Sequence, residues 1–381
     1  MRLKLKILVL LLVSVITLSL SSWKQGSIPP SAGGVGREGM TRVPSLFVSH
    51  AALDPRNGDL LIISNSWPNE LPVLRRFHSD GTADTSFSLQ RFENCCAIYP
   101  SLVATDPEGN IYTLEYRGDL HGFFLYKHAP SGELDIDWGE TVTASTGSAS
   151  ATSGGYESGE TVLTGTAGGG RLEVPLVNPV DLVARPDGSL LILDSALKYV
   201  YMVDPEGKSV TEFIGAQGYI PRQPVKLLSD KEGYLYLVDY YDPLDIIRRG
   251  MVGVFKFTPE GMLIEGWGED AGGINDPYHP TWDINTLVVD GKGALYILGG
   301  EPRTANHAQV FVFDGATGNE ISRTLVQYLQ GPDSNYLGII GALDEGFIHL
   351  EKRDFAIKVN YYLPNGRRQN KFVITQLYPA G

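Results

Sequence analysis

The sequence predicts an all-β protein, and three observations indicate six copies of one unit. Glycine-centred turns recur in pairs, with the second turn about 20 to 28 residues after the first. Runs rich in β-branched and aromatic residues flank these turns. No long amphipathic helical pattern lies between them. A period of roughly 40 to 50 residues with two hairpins is typical of a four-stranded blade, so we predict a six-bladed β-propeller of four-stranded antiparallel blades.

The turn glycines mark the units in order. The first turn of each unit contains Gly58, Gly109, Gly188, Gly233, Gly293 and Gly346. The second turn contains Gly81, Gly132, Gly207, Gly261, Gly318 and Gly366. The pattern is clearest in the third unit, residues 178–215, where an apolar run and a Pro-Asp-Gly turn precede the strand-like run Leu190 to Leu193. Units two and four repeat this pattern, whereas units one, five and six follow it more loosely.

The segments outside the repeats have different compositions. A basic stretch at residues 1–6 and an apolar stretch at residues 7–20 are typical of an export signal, and this apolar stretch is shorter than the roughly 20 residues that span a bilayer. Residues 1–22 are therefore predicted to be either a cleaved signal peptide or an N-terminal membrane anchor. A flexible linker follows at residues 23–44, and the propeller occupies residues 45–381. A low-complexity insertion at residues 140–172 offers almost no core, so we expect a partly disordered segment or a thin hairpin.

The net charge limits the classes of partner. The chain has a formal net charge of −13, which disfavours binding to nucleic acid or to an anionic membrane surface. We expect contact with a membrane only through the N-terminal segment. The protein is predicted to be a monomer in an extracytoplasmic location, whether periplasmic, secreted or tethered by an uncleaved anchor.

The cysteines do not indicate a disulfide framework. Only two are present, Cys95 and Cys96, and they are adjacent in the sequence. Two alternatives stay open: free thiols that behave as small buried apolar groups, or a vicinal disulfide between the two residues. No Cys-x-x-Cys pair exists that could begin a zinc site.

The repeats resemble those of the NHL propellers, whose units combine a proline, an apolar run, Asp-x-x-Gly and Tyr-x-x-Asp. The resemblance spans residues 45–377 and is most specific in units two to four, as in SLVATDPEGNIYTLE and VKLLSDKEGYLYLVD. RRFHSDGTADTSF, residues 75–87, is also similar to the delta-sixty repeats of bacterial surface proteins. Propellers of related shape include gluconolactonase-type lactonases and peptidyl amidating lyases, besides many NHL modules that only bind. The resemblance therefore implies a six-bladed shape and leaves catalysis and binding open.

The two faces of such a disc are predicted to differ. The short glycine turns share one face, here called the turn face, while the second-to-third-strand loops and the crossovers between blades share the other, the loop face. Aromatic, Arg and carboxylate side chains concentrate on the loop face and suit sugars or peptides, although the aromatic residues could instead pack between blades. The candidate binding residues are Trp67, Glu115, Tyr116, Arg117, His121, Tyr219, Tyr240, Tyr241, Arg248, Arg249, Tyr278, His279, Trp282 and Arg303.

Metal-binding signals are sparse. No His-Glu-x-x-His motif occurs, so no metal site or cofactor is predicted, and the alternative is a zinc site formed by His121, His279 and His307. Alignment on the first-turn glycines predicts an inner ring of His50, Leu102, Asp181, Lys226, Thr286 and Ile339. One carboxylate facing a lysine makes a poor calcium cage. Glu115, Asp194 and Asp239 recur at the ends of second strands, where we expect them to accept hydrogen bonds from loop backbone.

These patterns predict a non-catalytic function. We expect an exported propeller that binds a protein, peptide or glycan through its loop face. The alternative is a metal-dependent hydrolase or lyase, with calcium or zinc at the mouth of the central channel. No Gly-x-Ser-x-Gly motif occurs, and the sequence identifies no catalytic residue.

Overall fold

A computed structural model describes most of the repeat region of the 381-residue chain. The described residues are 45–67, 72–90, 99–118, 120–139, 170–214, 219, 221–240, 252–268, 274–275, 287–299, 307–327, 334–342, 346–353, 356–365 and 367–374. All of them lie in the unit Pro44–Gly381. Among them, no helix has the length and hydropathy needed to cross a membrane. The signal peptide and linker predicted for residues 1–22 and 23–44 lie outside these ranges.

The described strands form antiparallel sheets in which consecutive strands are neighbours. Sheet 1 contains β1 (Ser45–Leu53), β2 (Leu60–Trp67) and β3 (Val73–Phe77). Sheet 2 contains β4 (Tyr99–Thr105), β5 (Ile111–Arg117), β6 (Gly122–His128) and β7 (Arg171–Val174). Sheet 3 contains β8 (Pro179–Ala184), β9 (Leu190–Asp194), β10 (Tyr199–Val203) and β11 (Val210–Ile214). Sheet 4 contains β12 (Pro224–Ser229), β13 (Leu235–Tyr240), β14 (Val252–Phe257) and β15 (Ile274–Asn275).

The C-terminal part of the chain forms two further sheets. Sheet 5 contains β16 (Val288–Val289), β17 (Ala294–Gly299), β18 (His307–Asp314) and β19 (Glu320–Gln327). Sheet 6 contains β20 (Ser334–Ala342), β21 (Phe347–Arg353), β22 (Ala356–Tyr362) and β23 (Arg368–Ile374). The first strands are neighbours in series, because β1 contacts β4, β4 contacts β8, and so on through β12 and β16 to β20, which contacts β1. Sheets arranged in this way form a β-propeller, which confirms the predicted all-β fold class.

The prediction of four strands in each of six blades is wrong for the described residues, where five sheets have four strands and sheet 1 has three. The chain after β3 makes a single bridge, between Phe77 and Ala83, as the third strands of sheets 2 and 4 also do, and residues 91–98 lie outside the described ranges. The carboxylate of Asp84 accepts hydrogen bonds from the amides of Ser86 and Phe87, which holds a turn after the bridge. The chain then reaches sheet 2, where the Gln90 amide donates to the Gly132 carbonyl at 2.8 Å instead of continuing along β3.

Apolar side chains fill the spaces between neighbouring sheets. Sheets 3 and 4, for example, share a cluster that includes Leu193, Ile214 and Leu237. Sheet 6 packs against sheet 1 through a cluster that includes Leu350 and Leu60. Both faces of a blade are buried, so β9, with the sequence Leu-Leu-Ile-Leu-Asp, is buried throughout. It lacks the alternation of apolar and polar residues that a half-exposed strand shows.

The turns have a recurrent internal structure. All the predicted turn glycines except Gly366, which lies outside the described residues, have positive φ. In three first turns an aspartate side chain accepts backbone amides and also the hydroxyl of a buried tyrosine on the second strand. These pairs are Tyr112 with Asp106 at 3.1 Å, Tyr236 with Asp230 at 3.1 Å, and Tyr296 with Asp290 at 2.7 Å. Each pair fixes a turn to a buried aromatic side chain.

The low-complexity insertion interrupts the outer strand of sheet 2. Leu134 bridges to His128 on one side of the insertion, and β7 pairs with β6 on the other. Because β7 begins at Arg171, the last two residues of the predicted insertion, 171 and 172, belong to a strand. Residues 140–169 lie outside the described ranges, so the prediction of partial disorder stays a prediction.

Candidate functional site

β-Bulges shape the inner wall of the propeller. Four first strands shift register at the same point, immediately before His50, Leu102, Asp181 and Lys226. A bulge redirects the side chain that follows it. These four residues are among the six predicted for the inner ring, and a fifth, Thr286, lies outside the described residues. In β20 the corresponding residue is Gly338, which pairs with Leu350, and not the predicted Ile339, because this strand has a second register shift between Ile339 and Gly341.

Asp181 is the centre of a buried polar cluster, here called the channel cluster, with His50 and Lys226. The Lys226 ammonium lies 3.2 Å from Oδ2 of Asp181 and 3.4 Å from Oδ1. The amide of Leu227 donates to Oδ2 at 2.8 Å, and the amide of Leu182 donates to Oδ1 at 3.1 Å. Burial alone would raise the pKa of Asp181, but the Lys226 ammonium, the His50 hydrogen bond and the Leu227 amide outweigh it and hold the pKa below its usual range.

His50 connects the channel cluster to two further sheets. The amide of Val103 donates to Nδ1 of His50 at 3.3 Å, so this nitrogen carries a lone pair and the proton lies on Nε2. Nε2 is 3.5 Å from Oδ1 of Asp181, to which it donates. Hydrogen bonds through His50 and Asp181 thus tie sheets 1 to 4 together around the axis. Asp181 and Lys226 contribute one negative and one positive charge to the channel cluster.

A depression with a volume of about 520 Å³ lies between sheets 3 and 4. We call it the loop-face depression, because its walls come from the crossovers before β8 and β12 and from the β9–β10 loop. Three neutral polar residues and four small apolar residues line it: Asn178, Ser195, Gln223, Val180, Ala196, Pro224 and Val225. Val180 and Val225 are the bulge residues that precede Asp181 and Lys226. The same two bulges therefore place valines in the depression and charges in the channel cluster.

Two buried carboxylates fix the walls of this depression. Asp194, at the end of β9, accepts the amides of Val177, Asn178, Ala196 and Leu197 at 2.6 to 3.1 Å. Asp239, near the end of β13, accepts the amides of Arg222 and Gln223 at 2.8 and 2.6 Å and the hydroxyl of Tyr219 at 3.0 Å. The prediction that these second-strand carboxylates tie loop backbone is confirmed for both residues. Glu115, at the same repeat position in β5, is instead 3.4 Å from the Thr113 hydroxyl within its own strand.

The structure describes side chains for five of the candidate binding residues. Tyr116 and His121 are exposed, and His121 has a φ of 54° after β5. Glu115 and Arg117 are buried, with 4% and 3% of their surface exposed, and the Arg117 guanidinium lies over the Phe124 ring of its own sheet. Tyr219 is partly buried, and its ring packs 5.1 Å from Phe255 and 5.3 Å from Phe257, which gives it a role in holding the crossover.

The other candidate residues are described only by backbone or not at all. Trp67 ends β2, Tyr240 ends β13, and His307 begins β18. The remaining candidates lie outside the described residues: Cys95, Cys96, Tyr241, Arg248, Arg249, Tyr278, His279, Trp282 and Arg303. Sequence reasoning did not select Asn178, Ser195 or Gln223. Ser195 directly follows Asp194 in the sequence, whereas Asn178 and Gln223 meet Asp194 and Asp239 only in the folded chain.

The described side chains also bear on metal binding. Within the described ranges, no three His, Cys, Asp or Glu side chains come together as a metal site. Both oxygens of Asp181 already accept hydrogen bonds, so a cation on this residue would have to displace Lys226. The zinc alternative through His121, His279 and His307 remains a prediction, because His279 lies outside the described residues.

Comparisons with known proteins identify similar shapes and no family. No family model matches the chain, and no curated protein matches it either. A structure of a nidogen/laminin complex is similar over 87% of this chain and 93% of that chain, with 11% identity and a TM-score of 0.46. A streptogramin B lyase is similar over 87% and 84%, with 9% identity and a TM-score of 0.44. A gluconolactonase from Xanthomonas campestris is similar over 83% of both chains, with 13% identity and a TM-score of 0.41. Likenesses this distant carry no argument about activity.

Proposed function

We propose that this protein is an NHL-like propeller whose loop-face depression binds a ligand without catalysing its conversion. In this proposal the three-stranded sheet 1 is a sixth blade, because it packs against sheet 2 on one side and against sheet 6 on the other. We also propose, from the sequence, that the protein is exported from the cytoplasm and acts as a monomer.

The observation that carries the proposal is the rigid construction of the loop-face depression. Its volume of about 520 Å³ lies within the range of about 300 to 1,000 Å³ that small-molecule sites occupy. Asp194 and Asp239 hold its walls through amide hydrogen bonds, and their side chains are 0% and 2% exposed. A preformed site loses little conformational entropy when a ligand binds, so modest contacts give useful affinity.

The geometry favours recognition over metal-assisted chemistry at the channel mouth. A catalytic metal needs ligand lone pairs and an open coordination position. The carboxylate of Asp181 is committed to Lys226 and to backbone amides, and Nδ1 of His50 accepts the Val103 amide. These side chains support the structure of the channel in their present arrangement.

A blocking variant tests the proposal. Ala196→Trp places a large side chain in the loop-face depression, whereas Ala316→Trp adds the same bulk to an exposed turn on the opposite face. The two alanines are matched, because each is exposed and its amide donates to an aspartate, Asp194 or Asp314. The full chain and both variants are screened by thermal melts against a library of small metabolites and oligosaccharides.

Binding to the folded state raises stability by about 2.7 kcal/mol when the ligand concentration is 100 times Kd. We expect at least one compound to raise the melting temperature of the wild type and of Ala316→Trp but not of Ala196→Trp. The proposal is refuted if every stabilising compound acts equally on all three proteins, or if no compound stabilises the wild type.

A further inference from the structure

We infer that the loop-face depression takes an uncharged, hydroxyl-rich ligand, that is, a neutral glycan. This inference rests on the proposed function, because it names the chemical class of the ligand at the same site. Three observations lead to it: the chemistry of the lining, the pairing of the charges beneath it, and the hydrogen bonds of the surrounding backbone.

The polar lining consists of groups that both donate and accept hydrogen bonds. Asn178 and Gln223 are exposed and carry amides, and Ser195 carries a hydroxyl. The Asn178 amide nitrogen donates to the Ser195 oxygen at 2.7 Å, so these two side chains present a connected polar pair. A sugar hydroxyl is also both donor and acceptor, and it matches such groups whichever way its proton points. Small apolar side chains, including Val180 and Pro224, complete the lining and can pack against the C–H face of a sugar ring.

The carboxylates near the depression are ion-paired or hydrogen-bonded within the protein. Asp181 is paired with Lys226 directly below the bulge valines. Asp194 and Asp239 are buried and accept four and three hydrogen bonds respectively. None of the side chains that line the depression is charged. The lining therefore offers no counter-charge to an ionised ligand, and the net charge of −13 opposes an anionic one.

The backbone around the depression argues against a peptide. Recognition of an extended peptide usually depends on free main-chain donors and acceptors, as in strand addition. Seven amides around the walls already donate within the protein. They belong to Val177, Asn178, Ser195, Ala196, Leu197, Arg222 and Gln223. Among these wall residues, hydrogen bonds to a ligand therefore come from side-chain amides and a hydroxyl. These groups suit the hydroxyl groups of a ligand better than a peptide main chain.

The inference is tested with three sets of probes of equal size. They are neutral trisaccharides, trisaccharides that contain one uronic acid, and capped uncharged tripeptides. Calorimetry measures their Kd for the full chain and for Asn178→Ala and Gln223→Ala, with Asn365→Ala as the control. Asn365 is an exposed asparagine in a turn-face loop, so its truncation matches that of Asn178 without touching the depression. Thermal melts establish that each variant folds.

We expect a neutral trisaccharide to bind and to lose about tenfold in affinity in each depression variant, because each loses a hydrogen-bonding side chain, while Asn365→Ala binds as the wild type does. The inference is overturned, and the proposed function kept, if an acidic trisaccharide or a tripeptide shows this dependence instead. It is also overturned if no probe of any class depends on Asn178 or Gln223. The proposed function is then tested separately, by the metabolite screen with Ala196→Trp.

Discussion

Replacing Lys226 with methionine tests the role of the channel cluster. The substitution keeps the length and apolar stem of the side chain and removes the ammonium that lies 3.2 Å from Oδ2 of Asp181. Asp181 has only 2% of its surface exposed, so water cannot replace the lost partner without a rearrangement. Removing one partner of a buried ion pair costs about 3 to 5 kcal/mol.

The structure places Lys226→Met at the low end of this range. Asp181 retains hydrogen bonds from Leu227, Leu182 and His50, and the Lys226 side chain is itself 22% exposed. We therefore expect the free energy of unfolding to fall by about 3 kcal/mol at pH 7. Urea denaturation monitored by tryptophan fluorescence measures it. The matched control is Lys231→Met, which removes an exposed ammonium 3.6 Å from Glu232 and is expected to cost less than about 0.5 kcal/mol.

The pH dependence gives a second test of the same residue. In the wild type the pKa of Asp181 is lowered in the folded state, so its stabilisation is present above the unfolded pKa of about 3.9 and is lost as pH falls below it. Lys226→Met removes the largest of the influences that lower the pKa of Asp181, so we expect burial to raise that pKa relative to the wild type. The penalty of the substitution should therefore shrink as pH falls from 7 towards about 4, where the carboxyl becomes neutral.

A double-mutant cycle completes this prediction. Asp181→Asn combined with Lys226→Met removes both charges and leaves an oxygen that accepts the Leu227 amide. The double variant should be more stable than the sum of the single effects by at least about 1 kcal/mol, because neither charge is left alone. Additive effects on the free energy of unfolding, or a Lys226→Met penalty equal to that of Lys231→Met, would show that Asp181 and Lys226 do not form a stabilising ion pair.

Two further predictions concern packing and pH. Gly207→Ala should destabilise the protein by about 2 kcal/mol more than Gly293→Ala, because both glycines have positive φ but only at Gly207 would a Cβ lie 2.5 Å from the Trp138 ring. Equal losses in urea denaturation would contradict this. Burial lowers the pKa of His128 to about 4, so the wild type should lose about 2 kcal/mol between pH 7 and pH 5 as the unfolded state takes up a proton. His128→Gln should lack that loss, whereas the control His78→Gln, at an exposed side chain, should retain it. Identical slopes of unfolding free energy against pH in the two variants would contradict the prediction.

The sequence predicted those parts of the fold that depend on local chemistry. A residue with positive φ is nearly always glycine, so the turn positions, and with them the strand pairing, could be located from glycines flanked by β-rich runs. Alignment on these turns also placed Asp181 opposite Lys226, and the structure confirms that pairing. The roles of Asp194 and Asp239 followed from the affinity of a strand-end carboxylate for loop amides.

The rest depends on irregular backbone that no local pattern encodes. The second register shift in β20 moved the ring position from Ile339 to Gly338. Glu115 and Arg117 resemble loop-face residues in sequence, yet both are buried in β5, where Tyr116 is the exposed residue. The loop-face depression arises from two bulges in different sheets, and only the assembled propeller brings Val180 and Val225 to one site.

A methyl NMR titration can show whether a ligand binds in the loop-face depression. The full chain, labelled at valine methyl groups, is titrated with the compound that stabilises the wild type but not Ala196→Trp. We expect the methyl signals of Val180 and Val225, which line the loop-face depression, to shift. The methyl signals of Val312, which lines a separate depression of about 480 Å³ between sheets 5 and 6, should not change. Shifts confined to Val312, with Val180 and Val225 unchanged, would contradict it.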